Sequence, residues 1–120
     1  MKIEIILLLL LIHWVADFVM QTDKQAQGKA NNFSDLVSHT LNYSLILWVG
    51  VMVLSKFDVS NCFYFFIITF VAHTFTDFFT SKINKGYWKR GKSHQFFVSV
   101  GFDQWLHYVQ LFVTYKLLFL

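Results

Sequence analysis

Four long apolar runs alternate with short polar stretches along the chain. None of the runs shows the strict apolar/polar alternation of a half-buried strand, and each is about twenty residues long, the length of a bilayer-spanning helix. The pattern predicts helices over about 3–21, 36–54, 62–82 and 96–119. The first, at 1.5 Å per residue, would be roughly 28 Å long, close to a hydrocarbon core of about 30 Å. Residues 22–34 read as a polar loop with a short surface helix before it; Gly28 and the Asn31-Asn32 pair mark the loop, and Ser34 or Asp35 is the expected N-cap of the second helix. Residues 55–61 form a short connection. Residues 83–95, with four basic residues and Tyr87-Trp88, read as a second polar loop. The expected fold is all-α: a single domain over 1–120, an up-down-up-down bundle of four transmembrane helices. A soluble bundle is the main structural rival, but it needs charged outer faces, and these runs are apolar on nearly every face.

Within the runs the polar residues are not scattered. His13, Asp17 and Gln21 recur every four residues in the first. The third has Thr69, His73, Thr76, Asp77 and Thr80 on one side; the fourth has Ser99, Asp103, His107 and Gln110 on one face. A His and an Asp four apart lie one helical turn from each other. His39 stands near the start of the second run. With alternating helices, His13, Asp17, His39, His73, Asp77, Asp103 and His107 all reach the same half of the bilayer. A lone Asp near a helix centre costs about 2.5–3.5 kcal/mol to insert, so these groups are expected to face inward and find partners.

Composition supports the membrane reading. The chain is 56% hydrophobic and 14% charged, against about 25% charged in soluble domains, with a mean hydropathy of +0.49. Net charge is +3, but seven of the ten basic residues (Lys24, Lys29, Lys82, Lys85, Lys89, Arg90, Lys92) fall in or beside the two polar loops. The positive-inside bias then predicts a multi-pass inner-membrane protein with both loops cytoplasmic and both termini outside. The bilayer is the expected partner, with anionic lipids at the basic loops and room for a homo-oligomer. No nucleic-acid module is present. A cleaved secretory leader is not expected: Glu4 interrupts the basic start, no small-residue cleavage site follows, and the run continues through Asp17. Cys62 is the single cysteine, so no internal disulfide forms.

Four His and three Asp at one depth suit a divalent transition metal such as Zn, Mn or Fe, the donors being supplied at i, i+4 by facing helices. The seven residues are the candidate ligands. Gln21, Lys24, Lys82, Gln104 and Tyr108 flank them as candidates for holding a substrate or anionic head group. Metal-dependent hydrolysis of a lipid or phosphoester is the reaction such a site would support, with no individual catalytic residue assigned. Two alternatives stand beside it: a cation or proton channel or transporter, and a non-enzymatic membrane interaction protein whose polar core only locks helix packing. No nucleophile elbow or P-loop spacing occurs.

His13-x-x-x-Asp17-Phe18 followed by Gln21 and Lys24, then His39, His73-x-x-x-Asp77 with Lys82, and Asp103-Gln104-x-x-His107 together resemble a family of small bacterial and phage membrane proteins known as domain of unknown function 3307. The likeness covers nearly the whole chain. It implies a polytopic membrane protein of bacterial or phage origin, and it brings no activity and no assigned catalytic residues.

Overall fold

A computed structural model describes all 120 residues, and every regular element is helical. The elements are α1 (Ile3–Trp14), a π-helical turn (Val15–Val19), α2 (Asp23–Gly28), α3 (Phe33–Leu54), α4 (Val59–Lys89) and α5 (Ser93–Phe119). Helices α3 and α4 are each long and apolar enough to cross a membrane.

The boundaries depart from the sequence pattern where polar residues were read as loop. The expected first helix does not run as one α-helix to residue 21; it passes into the π turn, closed by Met20 N–H donating to Val15 O. The short surface helix is α2, started by a capping box in which Thr22 and Gln25 each accept from the other's backbone N–H. The N-cap of α3 is Asn32, not Ser34 or Asp35: its side chain accepts from Ser34 N–H. Asp35 is instead turned inward against Gly28, where an added Cβ would collide with the Asp35 carboxylate. That close approach ties the loop after α2 to the first turn of α3.

The largest correction concerns residues 83–95. They are not a loop; α4 continues to Lys89 and α5 begins at Ser93. Polar residues at the end of α4 keep their helical backbone, and the break is made by Gly91 at φ +67°. Gly91 N–H donates to Trp88 O and Lys92 N–H to Tyr87 O, the paired bonds of a Schellman ending. The α3–α4 connection uses the same pair of bonds, from Lys56 to Val53 and from Phe57 to Met52, but with Lys56 and Phe57 at positive φ. Asp58 then caps α4 by accepting from Asn61.

The four long helices share one apolar core of Leu9, Ala16, Tyr43, Leu47, Val51, Cys62, Phe65, Leu111 and Tyr115. At one end of it the interior changes character. Fourteen of the 25 buried residues in the molecule are polar or charged, so the inside is more polar than a soluble core. The outside is correspondingly apolar: Trp14, Val71, Phe75, Trp105 and Leu117 are all exposed.

Candidate metal centre

The π turn, the first third of α3, the middle of α4 and the first half of α5 deliver the ionisable side chains to one buried spot. Four atoms converge: Asp17 Oδ1, His39 Nε2, His73 Nε2 and Asp77 Oδ2. His39 Nε2 lies 3.1 Å from Asp17 Oδ1 and 3.3 Å from Asp77 Oδ2. His73 Nε2 lies 3.6 Å from Asp17 Oδ1 and 3.5 Å from Asp77 Oδ2. The two imidazole nitrogens are 3.3 Å apart. A tetrahedral ion with bonds of 2.0–2.2 Å to N and O has edges of about 3.3–3.6 Å. Four of the six edges of the cluster therefore have the size of a tetrahedral coordination shell, and a fifth, 3.1 Å, is slightly shorter, before any ion is placed.

Asp77 takes part twice. Its second oxygen, Oδ1, lies 3.1 Å from His107 Nε2, which is 3.3 Å from Asp103 Oδ1. Asp77, Asp103 and His107 thus form a second buried group of donors, within 4.8 Å of one another like the first four. One carboxylate bridging two donor sets is the arrangement of paired-metal sites. All six side chains are buried.

His13 is near this centre but belongs to neither donor set. The network assigns its ring: Tyr43 O–H donates to Nδ1 at 2.8 Å, and Nε2–H donates to Gln104 Oε1 at 2.7 Å. The Gln104 amide nitrogen then donates to Asp17 Oδ2 and Asp103 Oδ2. This chain engages the outer oxygens of two aspartates and leaves their Oδ1 atoms turned to the donor clusters. Among the seven expected ligands, six meet as donors, and His13 reaches two of them, Asp17 and Asp103, through Gln104. Outer contacts of this kind fix ligand orientation in metal sites. Thr80 Oγ1 adds a 2.6 Å bond to Asp103 Oδ1. Tyr43 also stacks on His73, with ring centroids 3.7 Å apart and planes 10° from parallel; His73 Nδ1 has no hydrogen-bond partner, so packing holds this ring.

The flanking candidates divide. Gln104 is in the network above, and Gln21 lines the cavity beside it. Tyr108 stands edge-on to His13 at 5.2 Å. Lys24 and Lys82 do not reach the centre. Lys24 is exposed and pairs with Asp35 at 3.7 Å, and Lys82 is exposed over the ring of Phe78. The cation that does reach it is Lys29, whose Nζ donates to Asp77 Oδ2 at 3.1 Å. Burial would lower the Lys29 pKa, but the Asp77 and Asp17 carboxylates outweigh it and hold the ammonium above its ordinary range. Lys29 is delivered by the α2 loop, which Gln25 anchors by donating to Ser38. In the sequence Lys29 is only one of the seven basic residues in or beside the polar loops, and nothing in its neighbourhood sets it apart from them. Tyr43 lies in an apolar run with no acidic or basic neighbour at helical spacing except His39, and it is not among the candidate residues of the sequence.

A cavity of about 750 Å³ opens onto the centre. Asp17, Asp103 and Gln104 lie along it, with Lys29 and Lys85 among the polar residues and Phe18, Trp88, Phe96 and Phe97 among the apolar ones. The arrangement provides buried N and O donors, a fixed outer network and an adjoining space for a ligand.

Comparison with curated proteins and with solved structures finds no match. The family model described as "Protein of unknown function (DUF3307)" matches residues 5–120. The chain, matched over all but its first four residues, belongs to the DUF3307 family.

Proposed function

We propose that this protein is a membrane-embedded metalloprotein whose buried centre binds one or two divalent transition ions and serves hydrolysis. The observation that carries the reading is the cluster of Asp17, His39, His73 and Asp77, with five donor separations of 3.1–3.6 Å. The donor set supports it as well. Two imidazole nitrogens facing each other and two carboxylates share too few protons for every contact to be a hydrogen bond, whereas one cation satisfies all four lone pairs. The four-donor shell is closed, so the open position falls to an ion held by Asp77, Asp103 and His107, which would supply Lewis acidity and lower the pKa of a coordinated water towards 7.

The residues of the chain do the rest. His13 and Gln104 hold Asp17 and Asp103 in place, and Lys29 offsets the charge of Asp77. The reading places four helices across the membrane as an up-down-up-down bundle. Exposed apolar residues outside and polar residues inside support this, since lipid makes no demand for a charged surface. A cation or proton path fits less well. The far half of the core is filled by Leu9, Leu47, Val51, Phe65 and Leu111, all fully buried, with no His or carboxylate among them to pass a proton on.

The test is metal analysis of protein purified in detergent, with His73→Ala and Asp103→Ala alongside. Wild type should retain zinc, manganese or iron, and His73→Ala should lose the ion bound by the four-donor cluster. Release of phosphate or alcohol from phosphoester probes should then stop on chelation and return with metal. Folded wild type that takes up no metal contradicts the reading.

A further inference from the structure

Beside the unpartnered His73 Nδ1 and Gln110 Oε1, three buried polar side-chain atoms outside the donor clusters also have no partner in the protein: Gln21 Oε1, Ser81 Oγ and Asn84 Oδ1. All three residues line the 750 Å³ cavity. Ser81 is only 7% exposed. Orphaned buried polar atoms are costly, and native proteins keep them where something else completes the bonds. Three in one cavity, contributed by the chain after the π turn and by the last turns of α4, mark a built polar pocket.

Charge and shape say what fills it. Lys85 lines the same cavity and has no carboxylate within ion-pair distance, while Lys29 stands deeper, at Asp77. The polar end thus offers a free ammonium, a hydroxyl and two amides. The apolar wall is Phe18, Trp88 and Phe97, each roughly half or more exposed at the outer surface of the helices. An inorganic anion has no use for that wall, and its volume is far below that of a cavity sized for a drug-like ligand of about 300–1,000 Å³.

We infer that the cavity binds one phospholipid with an anionic, hydroxyl-bearing head group. Its phosphate sits at Lys85, its head-group hydroxyls pair with Gln21, Ser81 and Asn84, and an acyl chain leaves past Phe18, Trp88 and Phe97. The head group then lies beside Asp17 and Asp103, within reach of the donor clusters. Naming this lipid as the substrate rests on the hydrolytic reading above; its binding does not.

Native mass spectrometry of delipidated, detergent-purified protein tests the inference, with phosphatidylglycerol, phosphatidylcholine and glycerol phosphate as probes, each with chelator and with zinc. Phosphatidylglycerol should bind one per chain and at least about tenfold more tightly than phosphatidylcholine. Lys85→Glu and Ser81→Leu should each weaken it about tenfold or more, as loss of a charged or buried hydrogen bond predicts. Lys116→Glu, an exposed lysine near the other end of α5, should leave it unchanged. Ser81→Leu is judged only if its melting matches wild type; Lys85→Glu serves in any case. Equal binding of glycerol phosphate overturns the lipid assignment in favour of a small phosphate ligand. Equal binding of both lipids, with Lys85→Glu unaffected, reduces it to unspecific lipid and overturns it too. Zinc uptake without selective lipid binding defeats this inference and leaves the metal centre standing. Selective lipid binding without metal uptake keeps the lipid site and defeats the metal centre.

Discussion

The same four helices build two interiors that differ in kind. Towards one end the contacts are Leu9, Leu47, Val51, Cys62, Phe65 and Leu111. One to three turns away along the same helices they are Asp17, His39, His73, Asp77, Asp103 and His107. The apolar half needs only shape, and many side chains of similar volume would fill it. The polar half needs each donor to have a named counterpart, and it recruits Tyr43, Gln104, Thr80 and a loop lysine to supply them. A protein that only had to hold its helices together would have no reason to build the second interior, because replacing a buried ionic cluster by apolar residues is often neutral or stabilising. The contrast therefore separates what holds the fold from what the fold holds.

Substitutions should respect that division. The largest effect is expected from Asp77→Asn, which alters the one carboxylate shared by both donor sets. Metal affinity measured by competition with a chromogenic chelator should fall by more than the roughly 100-fold upper value for an outer-contact change, while helical content stays. Phe65→Ala, in the other half, should do the reverse. It should cost about 3–5 kcal/mol of stability through the cavity it opens, seen in denaturant titration, with metal content unchanged. Should Phe65→Ala also strip the metal, the two interiors are not separable and the contrast fails.

Lys29→Met sharpens the comparison inside the polar half. In chelated protein it leaves Asp77 without its ammonium and should cost about 3 kcal/mol, the low end for breaking a buried pair, since the Lys29 side chain keeps 19% exposure. With zinc present the cost should shrink, because the ion takes over the neutralising charge. Thermal melts of both proteins with and without zinc give the difference. Tyr43→Phe removes the bond to His13 but keeps the stack on His73. It should cost about 1 kcal/mol and lower metal affinity by no more than about tenfold. The smallest effect lies outside both interiors. Lys56→Gly relieves a positive φ in the α3–α4 turn and should stabilise by about 0.5–1 kcal/mol, with no change in metal.

How far the sequence foretold this depends on whether a residue's role follows from its own helix. His73 and Asp77, or Asp103 and His107, announce themselves by four-residue spacing in apolar surroundings, and the all-helical fold follows from the length of the runs. His13 and Asp17 have the same spacing, yet only Asp17 is a donor. The distinction is made by Tyr43 and Gln104 from other helices, which no local pattern reveals. Lys29 is illegible for the opposite reason: its loop is polar throughout, and what ties that loop to α3 is the packing of Gly28 against Asp35 and the bond from Gln25 to Ser38, neither of which a local pattern reveals. The end of α4 departs from the sequence pattern because Lys85, Lys89 and Arg90 resemble a loop in composition. A helix can carry such residues on an open face, and Gly91, with its positive φ, is the true stop.

The central claim is that Asp17, His39, His73 and Asp77 form a single four-donor shell. The visible spectrum of cobalt-loaded protein reads this most directly, because four-coordinate and six-coordinate cobalt differ strongly in the intensity of their d–d bands. The account predicts intense four-coordinate bands in wild type and in Phe65→Ala, lost in His73→Ala and in Asp77→Asn. Weak six-coordinate bands in wild type, or intense bands that survive both ligand substitutions, would contradict it.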